Sequence, residues 1–333
     1  MLIASGVIAG LGIVYLIGWL VFYAPRPAVP KVDATVTPLS IKVGDVSRDY
    51  IEVVPANLKK GAPLWVVLHG ASSKASDMRF ITGYQFEEVA AREGFVVVYA
   101  EGYKRSWHDG RIATKYPART EGVDDVRFLE TLVTAVSKKH GLDTSRVYGF
   151  GYSNGGHMLF KMAAQSPRTF TAIVAAAANM SEPESSDNIN LTTPIPVMLV
   201  EGTKDPLNPY QGGSSGNRRS SLGKVKSAIE SAEAFARVNG VSGPSANLQV
   251  NSVEGAPARE LVAGKEGRRK SVVLKEFGAG SATPVRLYTV KGGGHVVPNS
   301  NYRAPRIMGR SSKIFDAPVE ACAFTAAVEK AKN

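Results

Sequence analysis

The sequence predicts an α/β fold: a doubly wound, mostly parallel β-sheet with helices on both faces. Two observations carry this. Nearly wholly apolar runs, too short for helices, recur at 64–68, 95–100, 147–151, 173–177, 197–200 and 285–290. Strands covered on both faces need such runs, whereas a strand with one wet face alternates. Helical periodicity fills the gaps between them. Phe128, Leu129, Leu132 and Val136, for example, fall on one helix face. In a sheet built this way, reactive residues belong in loops beyond the C-terminal strand ends.

Taken in chain order, residues 1–24 contain no charged side chain, and the apolar stretch is long enough to span a bilayer. No Lys or Arg precedes it and no clean small-residue cleavage site closes it. It is therefore expected to be an uncleaved membrane-spanning anchor, with a cleaved signal peptide as the alternative. Residues 25–38, with Pro25, Pro27 and Pro30, read as a stiff linker. The catalytic domain is expected over 39–333. It opens with two alternating runs, around Ile41 and over 50–54, that suit an antiparallel pair. Helices are expected over 86–92, from an Asp124 N-cap, and after Ser153 through Met158, Leu159 and Met162. Residues 242–283 are rich in Gly, Ser and charge and are expected to form an irregular excursion rather than a second domain.

The 333 residues carry a formal net charge of +11. The basic residues are scattered, and the densest cluster, Gly267-Arg268-Arg269-Lys270, lacks interleaved aromatics, so no nucleic-acid partner is expected. Cys322 is the sole cysteine, which excludes an intrachain disulfide. Arg26 and Lys31 follow the apolar run, and the positive-inside rule alone would place the domain in the cytoplasm.

Gly151-Tyr152-Ser153-Asn154-Gly155 fits G-x-S-x-G between an apolar run and a helical stretch. A serine on a sharp strand-to-helix turn is exposed above the sheet, and the turn needs glycine on both sides. Ser153 is the candidate nucleophile, and the N–H of Asn154 would point at the developing oxyanion. A serine hydroxyl needs a base to take its proton. Of five histidines, His295 stands in Gly292-Gly-Gly-His295, past the run at 285–290, where a glycine-rich loop would let the imidazole swing over the serine. His69 reads as structural, His140 as part of a helix end, His108 as a loop residue, and His157 as pointing elsewhere on the helix. The orienting acid should follow a strand between serine and histidine. Asp205, in Glu201-Gly-Thr-Lys-Asp205, lies in the loop and is the candidate, with Glu201 as fallback. The loop His69-Gly70-Ala71 offers a second oxyanion donor, the N–H of Ala71.

With these residues in place, the chain resembles the polyhydroxybutyrate depolymerase and feruloyl esterase family of secreted α/β-hydrolases. The resemblance rests on Pro63-Leu-Trp-Val-Val-Leu-His-Gly70, Val123-Asp-Asp-Val-Arg-Phe-Leu129 and Arg146-Val-Tyr-Gly-Phe-Gly-Tyr-Ser-Asn-Gly-Gly156. It rests also on Glu201-Gly-Thr-Lys-Asp-Pro-Leu-Asn-Pro-Tyr210 and Gly292-Gly-Gly-His295, all in order over roughly 40–330. It implies the α/β-hydrolase fold and ester hydrolysis without metal or organic cofactor. It also implies a catalytic domain outside the cytoplasm, periplasmic or extracellular, against the charge rule. The triad falls on Ser153, Asp205 and His295. Trp107 matches a tryptophan position near the active site in such enzymes and, with Tyr152, is expected to bind substrate. Val296-Val297-Pro298 departs from the tryptophan expected before the proline, and Ala71 stands where cysteine is frequent. The expected substrate is a polyhydroxyalkanoate-type polyester or oligomer, or a feruloyl-type ester. The alternatives are a serine peptidase on the same scaffold and a catalytically inactive binding module.

Overall fold

The computed structural model describes residues 18, 21–187, 189–217, 220–242, 248–250, 261–262 and 271–332. The anchor expected over 1–24 lies outside the described residues apart from Gly18 and residues 21–24, and among the described residues no helix is long and apolar enough to cross a membrane.

The strands are β1 (Ala34–Val43), β2 (Val46–Pro55), β3 (Leu64–Leu68), β4 (Val96–Ala100), β5 (Val147–Tyr152), β6 (Ala172–Ala176) and β7 (Val197–Gly202). They continue with β8 (Gly213–Asn217), β9 (Ser220–Val225), β10 (Leu248–Val250), β11 (Leu261–Val262), β12 (Val272–Phe277) and β13 (Val285–Val290). The helices are α1 (Ala75–Ile81), α2 (Gln85–Glu93), α3 (Pro117–Thr120), α4 (Asp125–His140), α5 (Asn154–Gln165), α6 (Ala228–Val238) and α7 (Ala317–Lys332). Apart from the β8–β9 hairpin, the described strands form one sheet in the order β1-β2-β4-β3-β5-β6-β7-β13-β12-β10-β11. Its centre, β4 to β13, is parallel. Both flanks are antiparallel.

The apolar runs become central strands because both of their faces meet helices. In β3, Leu64, Val66 and Leu68 enter one core, where Phe128 of α4, Met158 of α5 and Phe235 of α6 pack. Trp65 and Val67 point the other way, into a core holding Met78 of α1, Phe86 of α2 and Phe324 of α7. Alternation of side chains along a strand therefore feeds two cores at once. Asp124 caps α4 as its sequence suggests, accepting the Arg127 N–H at 2.9 Å.

Two boundaries differ from the sequence reading. The linker does not run to residue 38, because β1 begins at Ala34. Pro38 is tolerated there because β1 is a sheet edge, with β2 as its one neighbour in the strand order. The remaining linker is also not free: the Arg26 guanidinium sits 4.5 Å over the Phe80 ring and 3.5 Å from Asp77. Within the excursion expected over 242–283, residues 272–277 are instead the regular strand β12, zipped to β13 along its whole length. Its surroundings masked it, since the apolar run Val272-Val273-Leu274 is short and stands in a stretch rich in Gly, Ser and charge.

Candidate active site

Four loops past strand ends on one edge of the sheet build the site: those following β3, β5, β7 and β13. Ser153 occupies the turn between β5 and α5 with φ 52° and ψ −117°. A non-glycine residue in this region carries roughly 1–3 kcal/mol of strain, tolerated where the surroundings fix it. The flanking glycines are required by space. A Cβ on Gly155 would lie 2.5 Å from the Leu68 carbonyl oxygen, and one on Gly151 would strike the Gly155 carbonyl. The turn thus wedges the serine against the loop after β3.

His295 Nε2 lies 2.8 Å from Ser153 Oγ, and its Nδ1 lies 2.7 Å from Asp205 Oδ2. The carboxylate can only accept, so Nδ1 carries the proton and Nε2 is left to accept the serine hydroxyl proton. Asp205 Oδ1 accepts the backbone N–H groups of Leu207 and Asn208, each at 2.7 Å. Glu201, the fallback acid, is fully buried and serves elsewhere, accepting Ala178 N–H at 3.0 Å and Asn208 Nδ2 at 3.2 Å. Burial, and then the Asp205 charge, raise its pKa far above the usual carboxyl range.

The loop carrying His295 is pinned rather than free to swing. His295 N–H donates to Met308 O at 2.7 Å, and Tyr152 hydroxyl donates to His295 O at 2.8 Å. The glycines there serve close approach: a Cβ on Gly202 would come within 2.5 Å of Gly293 O. His69 is structural, as its sequence context suggests. Its Nε2 accepts Gly102 N–H at 2.9 Å, so Nδ1 donates to Gly70 O at 2.7 Å. Burial holds its pKa down at about 4, which keeps it neutral.

Trp107 is not placed to bind substrate. It is fully buried, stacks on Phe128 with centroids 6.3 Å apart, and donates its indole N–H to His69 O at 2.9 Å. Tyr152 does border the cleft beside Ser153. The Asn154 side chain binds Trp107 N–H at 2.8 Å and Asp109 Oδ2 at 2.6 Å, tying the elbow to the 107–111 loop. Its own main-chain N–H opens α5, where the first N–H groups have no helical acceptor.

Ala71, Ser153 and His295 line a cavity of about 130 Å³, together with Arg111, Tyr116 and His157. These last three were not singled out from sequence. Arg111 is buried and ion-paired to Asp109, Nε to Oδ2 2.9 Å, and the sequence offers no signal for that. His157 was expected to point away, yet it lines the cavity. Its spacing of four from Ser153, one helical turn, was the available clue. A larger groove of about 740 Å³, bordered by Lys60, Trp65, Arg92 and Cys322, contains none of these residues. Among the described residues no group of three or more His, Cys, Asp or Glu is placed to hold a metal ion.

The chain is similar to several known proteins. Residues 50–206 match the family described as esterase PHB depolymerase. The chain is 29% identical over 301 residues to a protein of Nocardia uniformis subsp. tsuyamanensis named as an esterase, NocK, covering 87% of this chain and 83% of that one. It is 25% identical over 201 residues to feruloyl esterase B of Piromyces equi, covering 59% of this chain and 36% of that protein. In fold it is similar to an acetyl xylan esterase from Aspergillus awamori, with a TM-score of 0.52 at 17% identity, covering 80% of this chain and 95% of that one. The match to the esterase PHB depolymerase family thus spans residues 50–206, and the chain is a carboxylic ester hydrolase with the α/β-hydrolase fold.

Proposed function

We propose that the protein hydrolyses esters of short acyl groups through an acyl-enzyme on Ser153. The observation that carries this is His295, bridging Ser153 Oγ and Asp205 Oδ2 at 2.8 and 2.7 Å. His295 takes the serine proton as Oγ attacks the ester carbonyl, and Asp205 holds the tautomer and stabilises the imidazolium. The N–H groups of Asn154 and Ala71 receive the oxyanion. His295 then protonates the departing alkoxide, and water repeats the sequence to release the acid. The size of the cavity, about 130 Å³, supports a short acyl group over a feruloyl group, since sites for larger ligands run to roughly 300–1,000 Å³. A fluorophosphonate should label Ser153, and Ser153→Ala should abolish labelling and lower p-nitrophenyl acetate turnover by several orders of magnitude. More than a few per cent of residual activity in the purified variant would assign the nucleophile elsewhere.

The charge-free run over 1–24 supports membrane attachment of this domain, with catalysis outside the cytoplasm. Full-length protein should then stay with membranes through high-salt and carbonate washes. Release by salt alone would refute the anchor.

A further inference from the structure

The rim of the cleft carries charge that the triad does not use. From Gly292 to Phe315 the chain has no Asp or Glu, yet it has Arg303, Arg306, Arg310 and Lys313, all exposed. This stretch lies against the catalytic loop. Met308 lines the cavity and its carbonyl accepts the His295 N–H at 2.7 Å, while Arg310 O accepts the Gly294 N–H at 2.9 Å. Lys204, exposed and next to Asp205, donates its backbone N–H to Gly293 O at 2.9 Å. On the oxyanion loop, Ser72 N–H donates to the carbonyl of the exposed Arg105 at 2.8 Å. None of these cations has an ion-pair partner among the described residues. Of the acids on neighbouring loops, Asp109, Glu121, Asp187 and Glu182 are matched by Arg111, Lys104, Arg119 and Lys226, which leaves Glu184 against the whole rim.

We infer that this rim binds the alcohol portion of the substrate and that this portion is a polyanion, so that the enzyme removes short acyl groups esterified to an acidic polymer. The inference rests on Ser153 as the nucleophile and on a short acyl group in the cleft. The cavity of about 130 Å³ holds the part of the ester that stays on the serine. The alcohol must leave, so it lies outside, across the rim. Like charges gathered beside a cleft repel one another and focus a positive field over it, and an anionic chain relieves both. Several cations spaced along one loop suit repeated anionic groups better than a single one. A lipid surface fits less well. Contact with lipid needs an apolar face beside the charges, whereas Ile307 alone among the described large apolar side chains of this stretch is well exposed. Arg26, on the segment leading into β1, is held by Asp77 and does not extend the patch.

The test compares acetate release from partly O-acetylated dextran and partly O-acetylated dextran sulfate by the full chain in non-ionic detergent. Backbone and ester are shared, so a preference reports on charge. The wild type should favour the sulfated polymer in kcat/KM by about tenfold or more, chiefly through KM. Added NaCl should erode the preference, because exposed charges are screened. Arg306→Gln with Arg310→Gln should bring the ratio towards unity, whereas Lys at both positions keeps the charge and should keep most of the preference. Lys59→Gln with Lys60→Gln removes as much charge at the separate, larger groove and should leave the ratio as it is. An equal loss there would make net charge the cause and overturn the inference. A wild type without preference, or a preference that persists in the Arg306 and Arg310 double variant, would overturn it too. If a wild type without preference is retained better by phosphatidylglycerol than by phosphatidylcholine vesicles, the patch is a membrane contact instead. Fluorophosphonate labelling separates the two readings. Unlabelled wild type refutes the Ser153 mechanism itself, whereas labelled protein that treats both polymers alike refutes only the role of the rim. Should the double variant fail to fold, Arg303→Gln with Lys313→Gln decides by the same ratio.

Discussion

Histidines of one chemistry take different roles here because their neighbours differ. His69 is enclosed between a backbone donor and a backbone acceptor and stays neutral. His157 is buried, and burial, then the charges of Arg111 and His295, hold its pKa well below the ordinary histidine range. His295 alone has a carboxylate behind it and a hydroxyl before it. The same logic separates the two acids. Asp205 touches the imidazole, while Glu201 is held by Ala178 and Asn208 and is driven towards its neutral form by burial. Asp205→Asn should lower kcat on p-nitrophenyl acetate by about 10⁴, and Glu201→Gln by less than about tenfold, since only the first loses the tautomer lock. The opposite ranking would transfer the role of orienting acid to Glu201.

At the scale of the element, the turn from β5 to α5 fixes the nucleophile by crowding. Its glycines leave no room for a methyl group, because one on Gly155 would strike Leu68 and His69 and one on Gly151 would strike the main chain of Gly155 and Gly156. Gly155→Ala should therefore force Leu68 and His69 outward, destabilise the fold by about 2 kcal/mol or more, and lower kcat as well. Thermal unfolding and turnover measured on one sample check both effects. A variant with wild-type melting temperature and activity would mean that the loop after β3 yields freely. The turn holding His295 follows the same rule, with glycine at 202 letting the end of β7 touch the loop past β13.

Over the whole molecule, the strand order brings residues 153, 205 and 295 to one edge, because β5, β6, β7 and β13 are adjacent and parallel. The tight covering of both sheet faces also seals histidines inside, and this makes stability sensitive to acid. An unfolded histidine takes its proton near pH 6.5, whereas folded His69 does so only near pH 4. Between these values the unfolded chain binds the extra proton, so stability is complete above about pH 6.5 and is lost as the pH falls towards 4. For His69 the loss is about 3 kcal/mol, and His157 acts in the same direction. Urea unfolding at pH 7, 5.5 and 4 should show the decline, and His69→Gln should flatten it. A wild type equally stable at pH 7 and 4 would contradict this account.

Short-range chemistry in the chain determined the α/β class, the central strands, the Asp124 cap and the elbow at Ser153. Each depends on periodicity or on a few adjacent residues. The order of Ser153, Asp205 and His295 along the chain was likewise readable, because loops that follow parallel strands gather at one edge. Tertiary structure decided what distant segments do to each other. It buried Trp107 against Phe128, far from a substrate role. It placed β12 in the sheet although the segment around it is rich in Gly, Ser and charge. It placed His157 in the wall of the cavity that Ser153 lines, and it bound Arg111 to Asp109 in that wall. These outcomes depend on which surfaces exclude water together, and a local pattern carries no record of its partner across the fold.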